Sequence, residues 1–298
     1  MNTARRFRLA ARRRPRFQGL SFNRLLPNIL TMIGLCVGLN AIRLAFEGRW
    51  PAAVALIVVA AFIDGIDGRL ARLLKATSRF GAEFDSLSDF VCFGVAPGLI
   101  LYLWSLDGAR GVGFIPCVLF AVCMALRLAR FNAAIDIGPV VTAKGVMPPP
   151  PKPAYAQSFF TGVPAPAGAG LALFPVFASL SFHEWGMTGM AAFLRHPLFV
   201  AIVLVLVAGL LVSTLPTWSF KNFKIPREAV LPLLLGAAAY AALLVTEPWA
   251  AIAAAGLIYV SLLPFSIRSY QRLKREAEEM RQLEPVPGPK VESGAEQG

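Results

Sequence analysis

The run DGIDGRLARLLKATSRFGAEFDSLSD, residues Asp64–Asp89, lies where two long apolar segments meet and holds four of the chain's six aspartates. The four are Asp64, Asp67, Asp85 and Asp89. The flanking segments predict two apolar helices, about 52–74 and 84–104, joined by a short turn. The first two aspartates are three residues apart and the last two are four apart, so each pair shares a helix face. The run therefore predicts an antiparallel helical hairpin whose two carboxylate faces can meet.

The rest of the chain is too apolar for an ordinary soluble domain. Its 298 residues are 56% hydrophobic and only 15% charged, whereas soluble domains are about 45–50% apolar. The apolar runs have about the length that crosses a bilayer core as a helix. We therefore predict an all-α, polytopic membrane protein with about eight transmembrane helices. The candidate spans are 28–46, 52–74, 84–104, 111–131, 161–181, 197–215, 229–246 and 249–267.

Basic residues are distributed unevenly between the two sides of these spans. With a cytoplasmic N-terminus, 25 Lys and Arg residues face the cytoplasm and 4 face the opposite side. This bias follows the positive-inside rule and predicts cytoplasmic N- and C-termini in a cell (inner) membrane. It also accounts for the net charge of +12, because basic residues beside spans meet anionic lipid headgroups. We therefore predict membrane lipids, and no nucleic acid, as partners of the basic segments.

The predicted spans divide the chain into four parts. Residues 1–27 form a basic arm on the membrane surface, and residues 28–215 form a six-helix core. Residues 216–267 add two further helices, and residues 268–298 form a charged, partly disordered cytoplasmic tail. The proline-rich loop 147–153 has no predicted role beyond that of a spacer or a lid.

The aspartate cluster is the part of the sequence that indicates chemistry. A carboxylate at the centre of a membrane helix costs about 2.5–3.5 kcal/mol, and several carboxylates held together repel one another unless cations lie between them. Ligand sets of oxygen atoms without His or Cys favour hard divalent ions such as Mg²⁺, Mn²⁺ or Ca²⁺. Two such ions about 4 Å apart can hold the oxygens of a phosphoryl group during its displacement.

The residues around the aspartates suit a phosphate-containing ligand. Gly68 and Ala71 lie beside the first aspartate pair, and Gly81 precedes Asp85 by four residues. These small side chains leave room for a bulky ligand near the helix backbones. Arg72, about one turn beyond Gly68, offers a guanidinium group for phosphate.

The same residues resemble the pattern of the CDP-alcohol phosphotransferase family. The family pattern D-x-x-D-G-x-x-A-R-x(8)-G-x-x-x-D-x-x-x-D is matched at every fixed position of the run Asp64–Asp89. The resemblance implies a six-helix core and two divalent metal ions, Mg²⁺ or Mn²⁺, held by Asp64, Asp67, Asp85 and Asp89. It also implies that Asp89 is the general base and that the CDP pocket is lined by Gly68, Ala71, Arg72 and Gly81. The motif P-N-x-x-T at Pro27, Asn28 and Thr31 is similar to the family as well, without an assigned role.

Three further segments resemble the bacterial branch of this family that uses L-serine as the acceptor. They are SDFVCFGVAPGLILY (88–102), ALRLARFN (125–132) and GVPAPAGAG (162–170). The resemblance implies that CDP-diacylglycerol and L-serine react to give phosphatidylserine and CMP. A serine carboxylate needs a cation, and the candidate acceptor-binding residues are Arg130, Asn132 and Arg127. The alternative for both arginines is that they only anchor a helix end at the membrane interface.

Other functions remain open at this point. Glycerol 3-phosphate, choline or inositol could replace serine as the acceptor in the same chemistry. A cation transporter could use the four aspartates as an ion relay, although all four lie near one membrane face and no other span offers an acidic partner at mid-membrane. The family resemblance also suggests a homodimer.

Overall fold

The computed structural model describes residues 22–135, 140–142, 145–147, 159–218 and 227–283, which are predominantly helical. The helices are α1 (Phe22–Phe46), α2 (Trp50–Leu73), α3 (Arg79–Asp89), α4 (Ala96–Leu101), α5 (Arg110–Ile135), α6 (Ala165–Ala172), α7 (Phe174–Glu184), α8 (Thr188–Leu194), α9 (Pro197–Val212), α10 (Arg227–Thr246) and α11 (Pro248–Leu283). Four strands of three residues each form two antiparallel pairs. These are β1 (Val140–Thr142), β2 (Gly145–Met147), β3 (Phe159–Thr161) and β4 (Pro216–Trp218).

The described residues confirm the prediction of a polytopic helical membrane protein. Six helices are long and apolar enough to cross a membrane, and the number rises to eight if each of two bent helix pairs is one span. The predicted N-terminal arm up to residue 21, residues 148–153 of the proline-rich loop and the tail from residue 284 lie outside the described residues. The tail residues before that point extend α11, which ends at Leu283.

Two helix pairs are bent, one within the predicted span 161–181 and one directly before the predicted span 197–215. Helices α6 and α7 meet at 46°, and α8 and α9 meet at 52°. The second residue of α7 is Pro175, which has no N–H for the preceding turn. Pro197 opens α9 in the same way, and His196 Nδ1 accepts a hydrogen bond from the backbone N–H of Leu198 at 3.3 Å. The predicted start of the fifth span at residue 161 was too early, because β3 occupies that position.

The third span runs without interruption from Arg79 to Ala109. Two of its turns are π-helical, Phe90–Val95 and Tyr102–Leu106. The first of them begins directly after Asp89. A π-turn inserts an extra residue into the helical repeat and so rotates the side chains that follow it. The aspartates of α3 and the apolar side chains beyond them can therefore face different neighbours on one continuous span.

Close packing brings α1 against this π-turn. A Cβ atom added to Gly38 would lie 2.4 Å from Cys92 Sγ, so only glycine fits without a shift. The thiol of Cys92 donates to the carbonyl oxygen of Gly34 at 3.6 Å. The surrounding core holds fully buried large side chains from several spans, among them Phe93, Ile100, Phe120, Met124, Phe177 and Leu204. This packing fixes the position of α1 beside the two helices that carry the aspartates.

Candidate active site

The four aspartates lie together where α2 approaches α3. One carboxylate oxygen from each of Asp64, Asp67 and Asp85 lies within 4.8 Å of the other two. Asp67 is the most deeply buried of them, with 3% of its surface exposed. The carboxyl group of Asp89 lies against that of Asp64. All four aspartates line one small cavity of about 10 Å³.

The three clustered carboxylates form a ligand set that suits a hard divalent cation. Each contributes an oxygen atom, and the spacing between the oxygens allows them to share one metal ion. Without a cation, mutual repulsion and partial burial both disfavour three negative charges at this spacing. The residues present therefore fit the divalent metal that the sequence predicts.

Thr31 on α1 orients one of these carboxylates. Its hydroxyl donates to Asp67 Oδ2 at 2.8 Å, and both residues are buried. The hydroxyl of Ser88 donates to the backbone carbonyl of Thr31 at 3.5 Å, which links α1 to α3 as well. The P-N-x-x-T motif includes Thr31 but does not reveal its role, because its partner Asp67 is 36 residues away in the chain.

A larger cavity of about 300 Å³ adjoins the carboxylates. It lies between the N-terminal part of α1, the ends of α2 and α3 that meet at the connecting turn, and the C-terminal part of α5. Its lining includes all four residues predicted for the CDP pocket, Gly68, Ala71, Arg72 and Gly81. Asp67, Asp85, Asn28 and Thr31 line it too, so the cavity and the carboxylate cluster share a wall.

The two glycines that line this cavity, Gly68 and Gly81, have different surroundings. A Cβ atom on Gly81 would lie 2.9 Å from Asn28 Oδ1 and 3.0 Å from Ser78 Oγ. Ser78 caps α3 by accepting a hydrogen bond from the backbone N–H of Gly81 at 3.0 Å. At Gly68, in contrast, no atom lies within 4 Å of an added Cβ. Packing therefore accounts for Gly81, whereas Gly68 leaves open space in the cavity.

The candidate acceptor residues occupy different surroundings. Asn132 lines the larger cavity, and its Oδ1 accepts a hydrogen bond from the hydroxyl of Ser86 at 3.1 Å. Arg127 is partly buried, lies within electrostatic reach of Asp89, and donates from Nε to the carbonyl oxygen of Val163. Both residues are therefore near the carboxylate cluster.

Arg130 contacts the backbone of another span. Its Nη1 donates to the carbonyl of Val212 at 2.9 Å, and its Nη2 donates to the carbonyl of Ser213 at 3.2 Å. These are the last carbonyls of α9, where a cation is favoured by the helix dipole. The acceptor-binding role of Arg130 stays a prediction beside this contact with the end of α9.

Comparisons with known proteins identify the family of the chain. The family model described as CDP-alcohol phosphatidyltransferase matches residues 24–193, and the model described as CDP-alcohol phosphatidyltransferase 2 matches residues 228–264. Three similar proteins are each named CDP-diacylglycerol–serine O-phosphatidyltransferase. The one from Mycobacterium tuberculosis is 38% identical over 85% of this chain and 82% of its own length. The one from Mycobacterium leprae is 36% identical over 89% and 82%, and the one from Helicobacter pylori is 33% identical over 67% and 74%. The motif, the fold and these relatives together show that the chain belongs to the CDP-alcohol phosphatidyltransferase family.

Proposed function

We propose that this enzyme transfers the phosphatidyl group of CDP-diacylglycerol to the hydroxyl of L-serine, giving phosphatidylserine and CMP. The main support for the proposal is that the carboxylate cluster and the larger cavity adjoin, since Asp67 and Asp85 belong to both. This arrangement would bring a divalent-cation site next to space for a nucleotide, as phosphatidyl transfer from a CDP-lipid requires. The choice of serine is supported by the names of the three relatives, whose similarity extends over most of the chain.

The metal-binding residues in this proposal are Asp64, Asp67 and Asp85, with Asp89 as an additional ligand. Two divalent ions, Mg²⁺ or Mn²⁺, would neutralise the diphosphate and the charge that develops on the departing CMP. Thr31 would hold Asp67 in the orientation needed for binding.

The larger cavity would hold the CDP group. Gly68 leaves space for the ligand beside α2, and Ala71 lies one turn further on. Arg72 would pair with a phosphate oxygen. The two acyl chains would stay between the spans, because burying them in the hydrocarbon of the bilayer avoids exposing them to water.

Asp89 would act as the general base. It would take the proton of the serine hydroxyl while the serine oxygen forms a bond to the phosphorus that carries diacylglycerol. The bond from that phosphorus to the oxygen of the CMP phosphate breaks, and CMP leaves with the electron pair. A positioned base accelerates such a step by about 10²–10⁴-fold. Arg127, within electrostatic reach of Asp89, would pair with the serine carboxylate, and Asn132 would help to orient the acceptor.

We further infer that both termini and the active site face the cytoplasm, in the inner membrane of the cell. The support is the excess of basic residues on one side of the predicted spans. The division into a six-helix core, residues 28–215, and two added helices, residues 216–267, remains a prediction, as does the homodimer.

Release of CMP by the purified protein tests the proposed reaction. With CDP-diacylglycerol and Mn²⁺ or Mg²⁺, we expect release with L-serine and none with glycerol 3-phosphate, choline or inositol. Turnover with one of those acceptors but not with serine would change the acceptor while keeping the reaction. Metal-coupled ion flux without any CMP release would instead support a transporter. Asp89→Asn should lower kcat by about 10²-fold or more, and full activity of this variant would remove Asp89 from the role of base.

A further inference from the structure

The last helix, α11, reaches the depth of the active site although it lies outside the predicted six-helix core. Tyr259 stands eleven residues after Pro248, where α11 begins, which places it about 17 Å along the helix axis at 1.5 Å per residue. Asp64 stands fourteen residues after Trp50, where α2 begins, at about 21 Å. In the predicted topology both helices start on the side of the membrane opposite to the site, so these lengths predict similar depths for Tyr259 and Asp64.

Tyr259 lies on the face of α11 that packs near α6. A Cβ atom on Gly256 would lie 3.6 Å from Leu171 Cδ2, so α11 runs close to α6 at this point. Tyr259 follows Gly256 by three residues and therefore shares its helix face. The start of α6 is two residues beyond Val163, whose carbonyl oxygen accepts the hydrogen bond from Arg127 Nε. The face of α11 that carries Tyr259 thus packs against α6, the helix that follows the Val163 partner of Arg127.

The hydroxyl of Tyr259 is buried within the protein and does not point to lipid. It lies within electrostatic reach of the Arg127 guanidinium, which in turn lies within reach of Asp89. A guanidinium has five N–H donors, and Nε of Arg127 is engaged by Val163. Arg127 is thus within electrostatic reach of both Tyr259 and the proposed base, and a guanidinium and a phenol hydroxyl can both donate hydrogen bonds to a carboxylate.

We propose that Tyr259 is an acceptor-binding residue whose hydroxyl donates to the carboxylate of L-serine beside Arg127. This inference rests on the proposed function and deepens it, because it assigns the last helix a part in acceptor selection. Arg127 supplies the charge, and Tyr259 supplies a second donor from a different span. An acceptor without a carboxylate makes no use of either group.

The substitution Tyr259→Phe tests this role, since it removes the hydroxyl and keeps the ring. We expect the KM for L-serine to rise about 10- to 100-fold, the usual effect of losing a hydrogen bond to a charged group. The KM for CDP-diacylglycerol and the Mn²⁺ concentration for half-maximal activity should stay within about twofold of wild type. A merely structural role would instead change these values together with the KM for serine.

Two fragments of serine separate recognition of the carboxylate from general loosening of the site. 3-Hydroxypropionate keeps the hydroxyl and the carboxylate, whereas ethanolamine keeps the hydroxyl and the ammonium group. As inhibitors of the serine reaction, we expect the Ki of 3-hydroxypropionate to rise about tenfold in Tyr259→Phe and the Ki of ethanolamine to stay unchanged. Equal shifts of both Ki values, or an unchanged KM for serine, would overturn the inference.

Tyr240→Phe is the matched control. Tyr240 lies on α10, and its hydroxyl donates to the carbonyl of Ala251 at 3.3 Å, within the last two helices. This control should leave the KM for serine unchanged. If the wild-type protein releases no CMP with serine, the proposed function fails. If the wild type uses serine and Tyr259→Phe has the wild-type KM, only the role of Tyr259 fails.

Discussion

At the scale of single residues, the Thr31–Asp67 hydrogen bond connects α1 to the carboxylate cluster and orients Asp67 on α2. The hydroxyl of Thr31 has one hydrogen, and two acceptors lie near it, Asp67 Oδ2 at 2.8 Å and the carbonyl of Pro27 at 3.1 Å. The shorter contact is to the carboxylate, where a charge-assisted bond is the stronger one. Because Thr31 and Asp67 are both buried, water cannot readily replace this bond.

Thr31→Val should therefore weaken metal binding without unfolding the protein. Valine has nearly the same shape but no donor, so the Asp67 carboxylate loses the contact that orients it. Loss of such an outer partner typically costs about 10–100-fold in metal affinity. We expect the Mn²⁺ concentration for half-maximal CMP release to rise by about that factor. The increase in Tm that Mn²⁺ causes should also be smaller than in wild type.

Thr246→Val provides the comparison for this variant. Its hydroxyl donates to the carbonyl of Ala242 at 3.0 Å within α10, on its own helix. The same change of side chain at this position should leave the Mn²⁺ requirement unaltered. An identical Mn²⁺ requirement in Thr31→Val and wild type would show that Asp67 needs no partner on α1.

At the scale of helices, the approach of α1 to the third span determines where Thr31 can stand. Gly34 and Gly38 lie one turn apart on the same face of α1, and Gly38 sits against Cys92 at the π-turn. A wider side chain at Gly38 would push α1 away from the span that carries Asp85 and Asp89. Gly34 and Gly38 thus allow α1 to pack closely against α2 and the third span, which carry the four carboxylates.

Gly38→Ala should destabilise the protein by about 1–3 kcal/mol, the usual cost of overpacking a close contact. The added Cβ would meet Cys92 Sγ at 2.4 Å, so the double substitution Gly38→Ala with Cys92→Ala should recover part of the loss. Thermal unfolding in detergent, read as Tm, measures both effects. Gly236→Ala on α10, where no atom lies within 4 Å of an added Cβ, should be neutral or stabilising. Equal Tm values for Gly38→Ala and Gly236→Ala would contradict the packing argument.

The helices show which parts of the architecture the sequence could predict. Span number follows from apolar length, and the shared faces of the aspartate pairs follow from spacing along a helix. The π-turn after Asp89 and the bends before Pro175 and Pro197 depend on how neighbouring spans pack, so hydropathy alone did not reveal them. The contact of Thr31 with Asp67 and the contact of Arg130 with the end of α9 join residues distant in sequence, and a single sequence carries no signal for such pairs.

At the scale of the whole molecule, the carboxylate cluster, the larger cavity and the turn between α2 and α3 all lie towards the same side of the spans. The two matched family models cover residues 24–193 and 228–264, and the second range includes Tyr259. The added pair of helices is therefore related to the family in its own right. The proposed role of Tyr259 would make α11 part of the acceptor site, and Tyr259→Phe tests this.

Cysteine labelling of the intact membrane tests which side the site faces. The starting variant has its four cysteines replaced: Cys36, Cys92, Cys117 and Cys123. One new cysteine is then placed either at Thr77, in the turn between α2 and α3, or at Met187, between α7 and α8. Both positions are exposed. Each basic residue near anionic lipid stabilises its position by about 1 kcal/mol. With 25 Lys and Arg residues on the predicted cytoplasmic side and 4 on the other, the protein should adopt one orientation in the membrane. We expect a membrane-impermeant maleimide to label Met187→Cys in intact cells and Thr77→Cys only after permeabilisation. The opposite result would place the carboxylates on the outer face, away from cytoplasmic serine.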